Sequence, residues 1–236
     1  MKPDNFKGKT QIQDNEIEKA IEFALLQNES ILPDFTYKFK NAYSENQFYK
    51  PIENDYWTTG FWTGELWLAY ENSDRSSFKE AAEIQVDSFL HRIENKISVD
   101  HHDMGFLYSL SCVASYKLTG NETAKKAAIL AADHLITRYH PVGEYIQAWG
   151  SMDNPDNRRL IIDCLLNVPL LYWATEVTGD DKYSQIAKKH TYTTLKTVVR
   201  EDYSTWHTYY FDSKTGEPSY GATCQGYRDG SAWARG

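Results

Sequence analysis

The sequence has 236 residues, of which 41% are hydrophobic and 25% charged, with a formal net charge of -8 at pH 7. This composition is typical of a folded globular protein and excludes a chain that is disordered throughout. The negative charge argues against a nucleic-acid partner, because phosphate binding requires clustered Lys and Arg. A small anionic ligand stays compatible with it, since one local Arg or His can bind such a group.

The N-terminal residues 1–20 are polar and lack the apolar stretch of a signal peptide. No segment approaches the roughly 20 apolar residues that a membrane span requires, so we expect no membrane association. The cysteines, Cys112, Cys164 and Cys224, are odd in number and do not have the spacing of metal ligands. We therefore expect a cytoplasmic protein that needs no metal or other cofactor. The sequence gives no indication of an oligomeric state.

A first amphipathic helix is predicted over residues 15–28, where Ile17, Ile21 and Leu25 recur at helical spacing. Residues 1–14, which precede it, are expected to be flexible. Residues 29–56 contain two prolines, scattered aromatic residues and little periodicity. They predict a long loop.

Three later segments, residues 56–90, 102–136 and 160–195, share one layout. Each opens with an apolar, aromatic-rich helix, makes a short polar turn, and closes with an amphipathic helix whose polar face carries Lys and Glu. This alternation predicts two layers of helices, one buried and one half-exposed. It favours a closed α/α toroid, although an open solenoid of helix pairs would produce the same local pattern.

When the three turns are superimposed, one indole and two carboxylates fall at nearly the same level. Trp57 lies 16 residues before the end of its apolar helix, Asp103 lies 16 before and Asp163 lies 15 before. Neighbouring helix axes are roughly 8–10 Å apart, so inward-pointing side chains at this level could converge on one small ligand. The sequence therefore predicts a site at the starts of the apolar helices.

Each aspartate has an ordinary structural alternative. An Asp directly before a helix, as Asp103 is, is often simply an N-cap. Asp163 lies in a run so apolar that an unpaired carboxylate would be costly to bury. It is either tied to Arg158 or Arg159, or its pKa is raised for proton transfer. The adjacent histidines at 101 and 102 are only a weak sign of a metal site, because no second cluster accompanies them.

Residues 206–211 are rich in aromatic and β-branched side chains and are followed by a turn at 212–216, so a short hairpin is predicted. Polar and aromatic residues in and after this hairpin suit a carboxylated sugar, with Arg supplying the planar fork that pairs with a carboxylate. Each of them alone could be an ordinary loop residue. The candidates are His207, Gln225, Trp233 and Arg235.

An ordered series of motifs, beginning at about Trp57, resembles the unsaturated glucuronyl hydrolases of glycoside hydrolase family 88. The series is WTTGFWTGELWLAYE, HHDMGFLY, EYIQAWG, RLIIDCLLNVPLLYWA, HTYYFDSKTGEP and QGYRDGSAWARG. The resemblance implies an all-α (α/α)6 barrel in a single domain over residues 1–236. It also implies Asp163 as general acid and base and Asp103 as the group that holds the substrate. The positions that match the family's pocket are Trp57, His102, His207, Gln225, Trp233 and Arg235.

The resemblance also implies a substrate and a reaction. A proton is added to C4 of a vinyl ether, water adds at C5, and the resulting hemiketal opens to release 4,5-unsaturated glucuronic acid. The expected partner is a chondroitin or hyaluronan oligosaccharide. An unsaturated rhamnogalacturonyl hydrolase, which has a similar barrel and takes pectin fragments, is the alternative enzyme.

Six helical hairpins with repeats of this size need on the order of 280–360 residues. We therefore expect this chain to form an incomplete ring. A helical remnant without catalytic activity is the third possibility.

Overall fold

Helices make up most of residues 12–230, the part of the chain that the computed structural model describes. They are α1 (Asp14–Phe35), α2 (Thr59–Ser73), α3 (Ser76–Glu94), α4 (Met104–Tyr108), α5 (Ala114–Thr119), α6 (Glu122–Ile136), α7 (Pro169–Thr178) and α8 (Lys182–Val198). A π-helical segment, Ser109–Val113, joins α4 directly to α5. The prediction of flexibility over residues 1–14 falls largely outside the described residues, and Asp14 already begins α1.

The helices pair as the sequence predicts, in two layers. Helix α2 packs against α4 and the π-helical segment, and α4 packs against α7. In the second layer α3 contacts α6, and α6 contacts α8. Each hairpin, α2–α3, α5–α6 and α7–α8, joins the two layers. Helix α1 contacts both α2 and α3.

Small buried residues allow the second layer to pack closely. Helix α6 buries an alanine stripe at positions 124, 127, 128, 131 and 132. Helix α3 buries Phe78, Val86 and Phe89 at similar spacing. Short side chains on one helix leave room for the large ones on its neighbour, as a close-packed core requires.

Glycines bring the helices of the first layer together at their N-terminal ends. A Cβ atom at Gly60 would lie 2.7 Å from Cα of Leu107, and one at Gly105 would lie 2.8 Å from the carbonyl oxygen of Asn167. The Asn167 side-chain oxygen also accepts a hydrogen bond of 3.0 Å from the Phe106 N–H. The starts of α2 and α4 and the segment before α7 are therefore in backbone contact.

Three small antiparallel sheets accompany the helices within the described residues. Strands β1 (Phe39–Glu45) and β2 (Phe48–Ile52) form a hairpin, and β3 (Tyr139–His140) pairs with β4 (Tyr145–Ile146). Strands β5 (Arg159–Ile161), β6 (Thr208–Phe211) and β7 (Pro218–Ala222) form the third sheet, in the order β5-β6-β7. The hairpin predicted near residues 206–216 is confirmed as β6 and β7, and β5 extends it.

The predicted loop over residues 29–56 is wrong. Helix α1 continues to Phe35 with Pro33 inside it, and the β1–β2 hairpin fills most of the remainder. The hairpin escapes the alternation test because only Phe39 of β1 is buried and β2 is exposed except at its last residue. Instead the Lys40 ammonium group attaches the hairpin to α2, lying 3.9 Å from the ring centroid of Trp62.

The predicted start of the third apolar helix at residue 160 is also wrong. Residues 159–161 form β5, a 3-10 turn follows over Ile162–Leu166, and α7 begins only at Pro169. The β5–β6 pairing takes up the backbone groups that a helix would have satisfied internally. Asp163 therefore lies in the 3-10 turn rather than on an α-helix.

Among the described residues, no helix combines the length and the apolar character that crossing a bilayer requires.

We expect Gly105→Ala to lower the free energy of unfolding by about 2–3 kcal/mol, because the added Cβ overlaps the backbone of Asn167. Urea unfolding followed by circular dichroism measures this. Gly64→Ala, also in a helix of the first layer, is the control, since its Cβ would lie 3.1 Å from the Leu110 Cβ. It should stay within about 1 kcal/mol of the wild type, because alanine favours a helix. Equal effects of the two substitutions would contradict the close approach.

The buried imidazole of His190 should make stability depend on pH. Its Nδ1 accepts a 3.2 Å hydrogen bond from the Ile146 N–H, and burial lowers its pKa to about 3. Since the unfolded side chain titrates near pH 6.5, its contribution to stability is complete above that pH. It is lost as the pH falls from about 6.5 towards 3, by up to about 1.4 kcal/mol per pH unit.

Urea unfolding at several pH values between 7 and 5 tests this dependence. His190→Gln should be less stable at pH 7 but should lose less stability on acidification than the wild type. His91→Gln, on the exposed side of α3, should keep the wild-type slope. An unchanged slope in His190→Gln would mean that this imidazole is not held neutral.

Candidate active site

A pocket of about 900 Å³ opens where the N-terminal ends of α2 and α4 meet the turn after β5. Its described lining holds Ala42, Tyr43, Asp55, Tyr56, Trp57, Ser98, Asp100, His101, His102, Asp103, Trp149, Ile161, Ile162, Asp163, His207 and Gln225. Six of the eight residues predicted from the sequence are among them. The other two, Trp233 and Arg235, lie outside the described residues.

The imidazole of His102 lies between the two predicted carboxylates. Its Nε2 is 3.3 Å from Oδ1 of Asp103 and 3.5 Å from Oδ1 of Asp163. The ring is only 2% exposed, and within the described residues its Nδ1 has no hydrogen-bond partner. One ring nitrogen is therefore shared by two acids, so the protonation states of all three groups depend on one another.

Asp103 is held as a carboxylate. Burial acts to raise its pKa, but the charge of His102 and a hydrogen bond from His101 outweigh burial, so its pKa lies below the usual range. Nδ1 of His101 is 3.0 Å from Oδ2 of Asp103. Asp103 occupies the N-cap position of α4 without a capping hydrogen bond from its side chain. The N-cap alternative therefore describes its backbone, while its side chain belongs to the pocket.

Asp163 is held towards its neutral form. Burial raises its pKa, the charge of Asp103 raises it further, and the charge of His102 only partly opposes them. Its side chain is 36% exposed, so one part of it is open to the pocket. Its Oδ1 has no hydrogen-bond partner within residues 12–230. Neither Arg158 nor Arg159 forms a salt bridge with it there, and of the two alternatives from the sequence the raised pKa holds.

A short extended segment positions both acids. The Ala148 carbonyl accepts a 2.6 Å hydrogen bond from the His102 N–H, and the Ala148 N–H donates a 2.9 Å hydrogen bond to the Arg159 carbonyl. A further bridge pairs His101 with Trp149. The segment before α4 and strand β5 are thus joined through one residue, which brings Asp103 and Asp163 together.

Two buried guanidinium groups support these loops from below. Arg92 donates to the carbonyls of Tyr56 at 2.9 Å and Ser98 at 2.7 Å, which connects the segment before α2 to the segment before α4. Arg138 pairs with Asp100 and donates to the Gly150 carbonyl at 2.9 Å. Both side chains are 1% exposed. Breaking such a buried contact leaves an uncompensated charge, so these loops are firmly fixed.

Aromatic rings form one wall of the pocket. The Trp57 indole packs edge-on against Phe106, with ring centroids 5.7 Å apart, and against Phe61 at 6.3 Å. The indole is 37% exposed. An indole held in this way offers a flat apolar surface of the kind that packs against the face of a sugar.

The third sheet supplies the opposite wall. The Ile162 N–H donates a 2.9 Å hydrogen bond to the His207 carbonyl, which keeps this buried histidine beside the turn that carries Asp163. The His207 Nδ1 lies 2.8 Å from Oγ1 of Thr208 and accepts a 3.4 Å hydrogen bond from the Gln225 N–H. His207 and Gln225 are therefore coupled to each other at the edge of the pocket.

Four lining residues, Tyr43, Asp55, Asp100 and Trp149, were not identified from the sequence. Tyr43 lies on β1, in the segment that was taken for a loop. Trp149 lies in the EYIQAWG motif, but it lies far from any helix start and so escaped the superposition of turns. The two aspartates lie in polar stretches where acidic residues are ordinary.

One oxygen from each carboxylate and one His102 nitrogen lie within 4.8 Å of one another. Groups of this kind can hold a cation as well as share protons. The absence of a metal stays a prediction.

No protein-family model matches the chain. Curated relatives do. An unsaturated chondroitin disaccharide hydrolase of Streptococcus agalactiae is 50% identical over 221 residues, which are 94% of this chain and 56% of the relative. An unsaturated glucuronyl hydrolase of Bacillus sp. strain GL1 is 44% identical over 206 residues, which are 87% of this chain and 55% of the relative. The chain thus spans little more than half the length of these relatives.

The fold is equally similar to a solved structure. The crystal structure of unsaturated glucuronyl hydrolase from Streptococcus agalactiae superimposes with a TM-score of 0.94 at 48% identity, covering 98% of this chain and 58% of the other. Similarity in sequence and in fold therefore coincides over nearly all of the described residues. Over the part that it shares with them, the chain is a homologue of the unsaturated glucuronyl hydrolases.

Proposed function

We propose that the protein hydrates the C4=C5 double bond of an unsaturated uronic acid and so releases this sugar from chondroitin-type or hyaluronan-type oligosaccharides. The observation that carries the proposal is the pair Asp103 and Asp163, which share the ring of His102 and have pKa values displaced in opposite directions. Two acids held in different protonation states can divide the work of proton transfer.

The pair suggests a role for each group. Asp163, held protonated and partly exposed, donates its proton to C4, and the carboxylate that results accepts a proton from the water that adds at C5. The hemiketal formed at C5 then opens and releases the sugar. Asp103, which stays ionised, holds the substrate and keeps His102 oriented. One carboxyl group thus serves as acid and then as base, so the separation rules for ordinary glycosidases do not apply.

The remaining pocket residues suit a carboxylated sugar. Trp57 offers a platform for the sugar face, and His102, His207 and Gln225 provide polar groups around it. Trp233 and Arg235 lie outside the described residues, and their roles as a second ring and as the carboxylate's partner stay predictions. Variants of the Streptococcus agalactiae enzyme, solved with asparagine in place of two aspartates 60 positions apart, add support. Asp103 and Asp163 have the same separation.

The names of the relatives favour a glycosaminoglycan substrate over a pectin fragment. Three of them, all streptococcal, are unsaturated chondroitin disaccharide hydrolases. A variant of the Streptococcus agalactiae enzyme was solved with dGlcA-GalNAc6S, at 44% identity to this chain. We therefore propose an unsaturated chondroitin disaccharide as the substrate. A cytoplasmic location is part of the proposal and agrees with the three unpaired cysteines.

We further propose that the described helices are part of a single-domain (α/α)6 barrel. Two layers of alternating helices support this, as do apolar side chains that are exposed at present. Leu68 on α2 is 61% exposed and Phe23 on α1 is 64% exposed. Faces of this kind are ordinarily covered by neighbouring elements, and further hairpins of a ring would cover them.

Incubating the purified chain with an unsaturated chondroitin disaccharide, and following the absorbance of its double bond, tests the reaction. Asp163→Asn should reduce the rate by at least about a hundredfold, because it removes the proton donor. Asp87→Asn, on the exposed face of α3, should leave the rate unchanged. Equal rates for Asp163→Asn and the wild type would contradict the role of Asp163. A folded wild-type chain with no turnover would contradict activity in this chain, as a helical remnant predicts.

The pH dependence of the rate should shift in opposite directions in two neighbouring variants. Activity falls as the pH rises through the pKa of Asp163, which must be protonated. Burial of Asp163 is retained in both variants. Asp103→Asn removes a negative charge that raises this pKa, so the falling limb should move to lower pH. His102→Gln removes a positive charge that lowers it, so the limb should move to higher pH. Rate profiles measure both limbs, and shifts in the same direction would rule out this coupling.

A further inference from the structure

The described lining of the pocket is acidic, although the proposed ligand is an anion. It contains four aspartates, Asp55, Asp100, Asp103 and Asp163, and no Lys or Arg among residues 12–230. An anionic sugar in such a pocket is repelled unless positive charge lies close behind the lining. The question is which cation within the described residues is placed and free to act in this way.

A guanidinium lies behind one wall of the pocket. The side chain of Arg159 stacks over the Trp149 indole, 4.5 Å from the ring centroid, and Trp149 lines the pocket whereas Arg159 does not. The same guanidinium lies 5.8 Å from the ring of Tyr210, which in turn stacks on Tyr220 at 4.8 Å. Arg159 is therefore held between aromatic rings that cross the third sheet.

The charge of Arg159 is not neutralised within the described residues. No carboxylate there lies within ion-pair distance, and its Nε is buried without a hydrogen-bond partner. Its one side-chain hydrogen bond in that part of the chain is a long one, 3.4 Å, to the Tyr210 hydroxyl. By contrast Arg138 is paired with Asp100, and Arg92 uses all three of its nitrogens in hydrogen bonds to polar groups. Arg159 is thus a free positive charge next to the pocket wall.

We propose that Arg159 is a positioning and specificity residue, which fixes the Trp149 indole in the pocket wall and supplies positive potential that favours an anionic sugar. The identity of that sugar rests on the proposed function. The stacking and the potential follow from the position of the guanidinium itself, because a cation over an indole face both holds the ring and projects its field beyond it.

Substitutions separate the two effects. Arg159→Met keeps an unbranched stem but removes the charge, and Arg159→Lys keeps the charge but loses the planar stack. In an Asp163→Asn background, which blocks turnover, the affinity for an unsaturated chondroitin disaccharide should fall about two- to fivefold in Arg159→Met. It should fall less in Arg159→Lys. With Asp163 intact, KM should rise by a similar factor while kcat is unchanged, because Arg159 does not touch the reacting atoms.

Arg200 offers a matched control. Its guanidinium stacks 3.7 Å from the ring centroid of Trp206, and its Nε is likewise buried without a partner, but neither residue lines the pocket. Arg200→Met should therefore leave affinity and KM at wild-type values. An equal loss in both methionine variants would reduce the effect of Arg159 to general stability and would overturn the proposal.

Fluorescence quenching tests the potential without any substrate. Iodide, an anion, and acrylamide, which is neutral, are compared as quenchers of the Trp149 emission, obtained by subtracting the signal of Trp149→Phe. Arg159→Met should lower the iodide quenching constant about twofold. Acrylamide quenching should stay equal or rise if the ring loosens. Unchanged quenching by iodide, together with unchanged affinity, overturns the proposal. A wild-type chain that does not bind the disaccharide, but shows the iodide effect, retains it and rejects the proposed function.

Discussion

The peptide groups of a single residue, Ala148, hold the candidate site together. Its carbonyl fixes the strand that leads into α4, and its N–H fixes β5, so the two acids that lie 60 residues apart in the chain meet across it. Both hydrogen bonds are between backbone groups and therefore do not depend on the identity of the side chain at this position. The close helix contact at Gly105 restrains the same two segments from the other side.

This arrangement places the acids in unlike surroundings. Asp103 faces two imidazoles and, at longer range, the charge of Arg138, whereas Asp163 faces one imidazole and the negative charge of its partner. The difference in pKa direction therefore arises from which side of His102 each acid occupies, more than from how deeply each is buried. A buried ring that is shared in this way makes the pair respond as a unit to any change nearby.

The helical pairs and the level of Asp103 and Trp57 could be predicted from the sequence, because apolar periodicity and turn glycines such as Gly120 and Gly179 are local signals. The β1–β2 hairpin and the 3-10 turn that carries Asp163 could not. Their formation depends on partners distant in sequence, such as the Ile162 N–H and its acceptor in the next strand. Trp149 and Arg159 were missed for the same reason, since their stack exists only once the third sheet has formed.

The helix that begins after Asp103 is not a regular one. Between α4 and α5 the Ser109–Val113 segment is π-helical, which means that one more residue is accommodated than an α-helix of that length would hold. Each helical residue turns the chain by about 100° and advances it by about 1.5 Å. The N-terminal end of this helix is therefore offset by one step from the phase that its C-terminal end would dictate. The direction in which Asp103 points is thus encoded, in part, by a wide turn in the middle of a buried helix, which can accommodate or release a residue without disturbing the turn at Gly120.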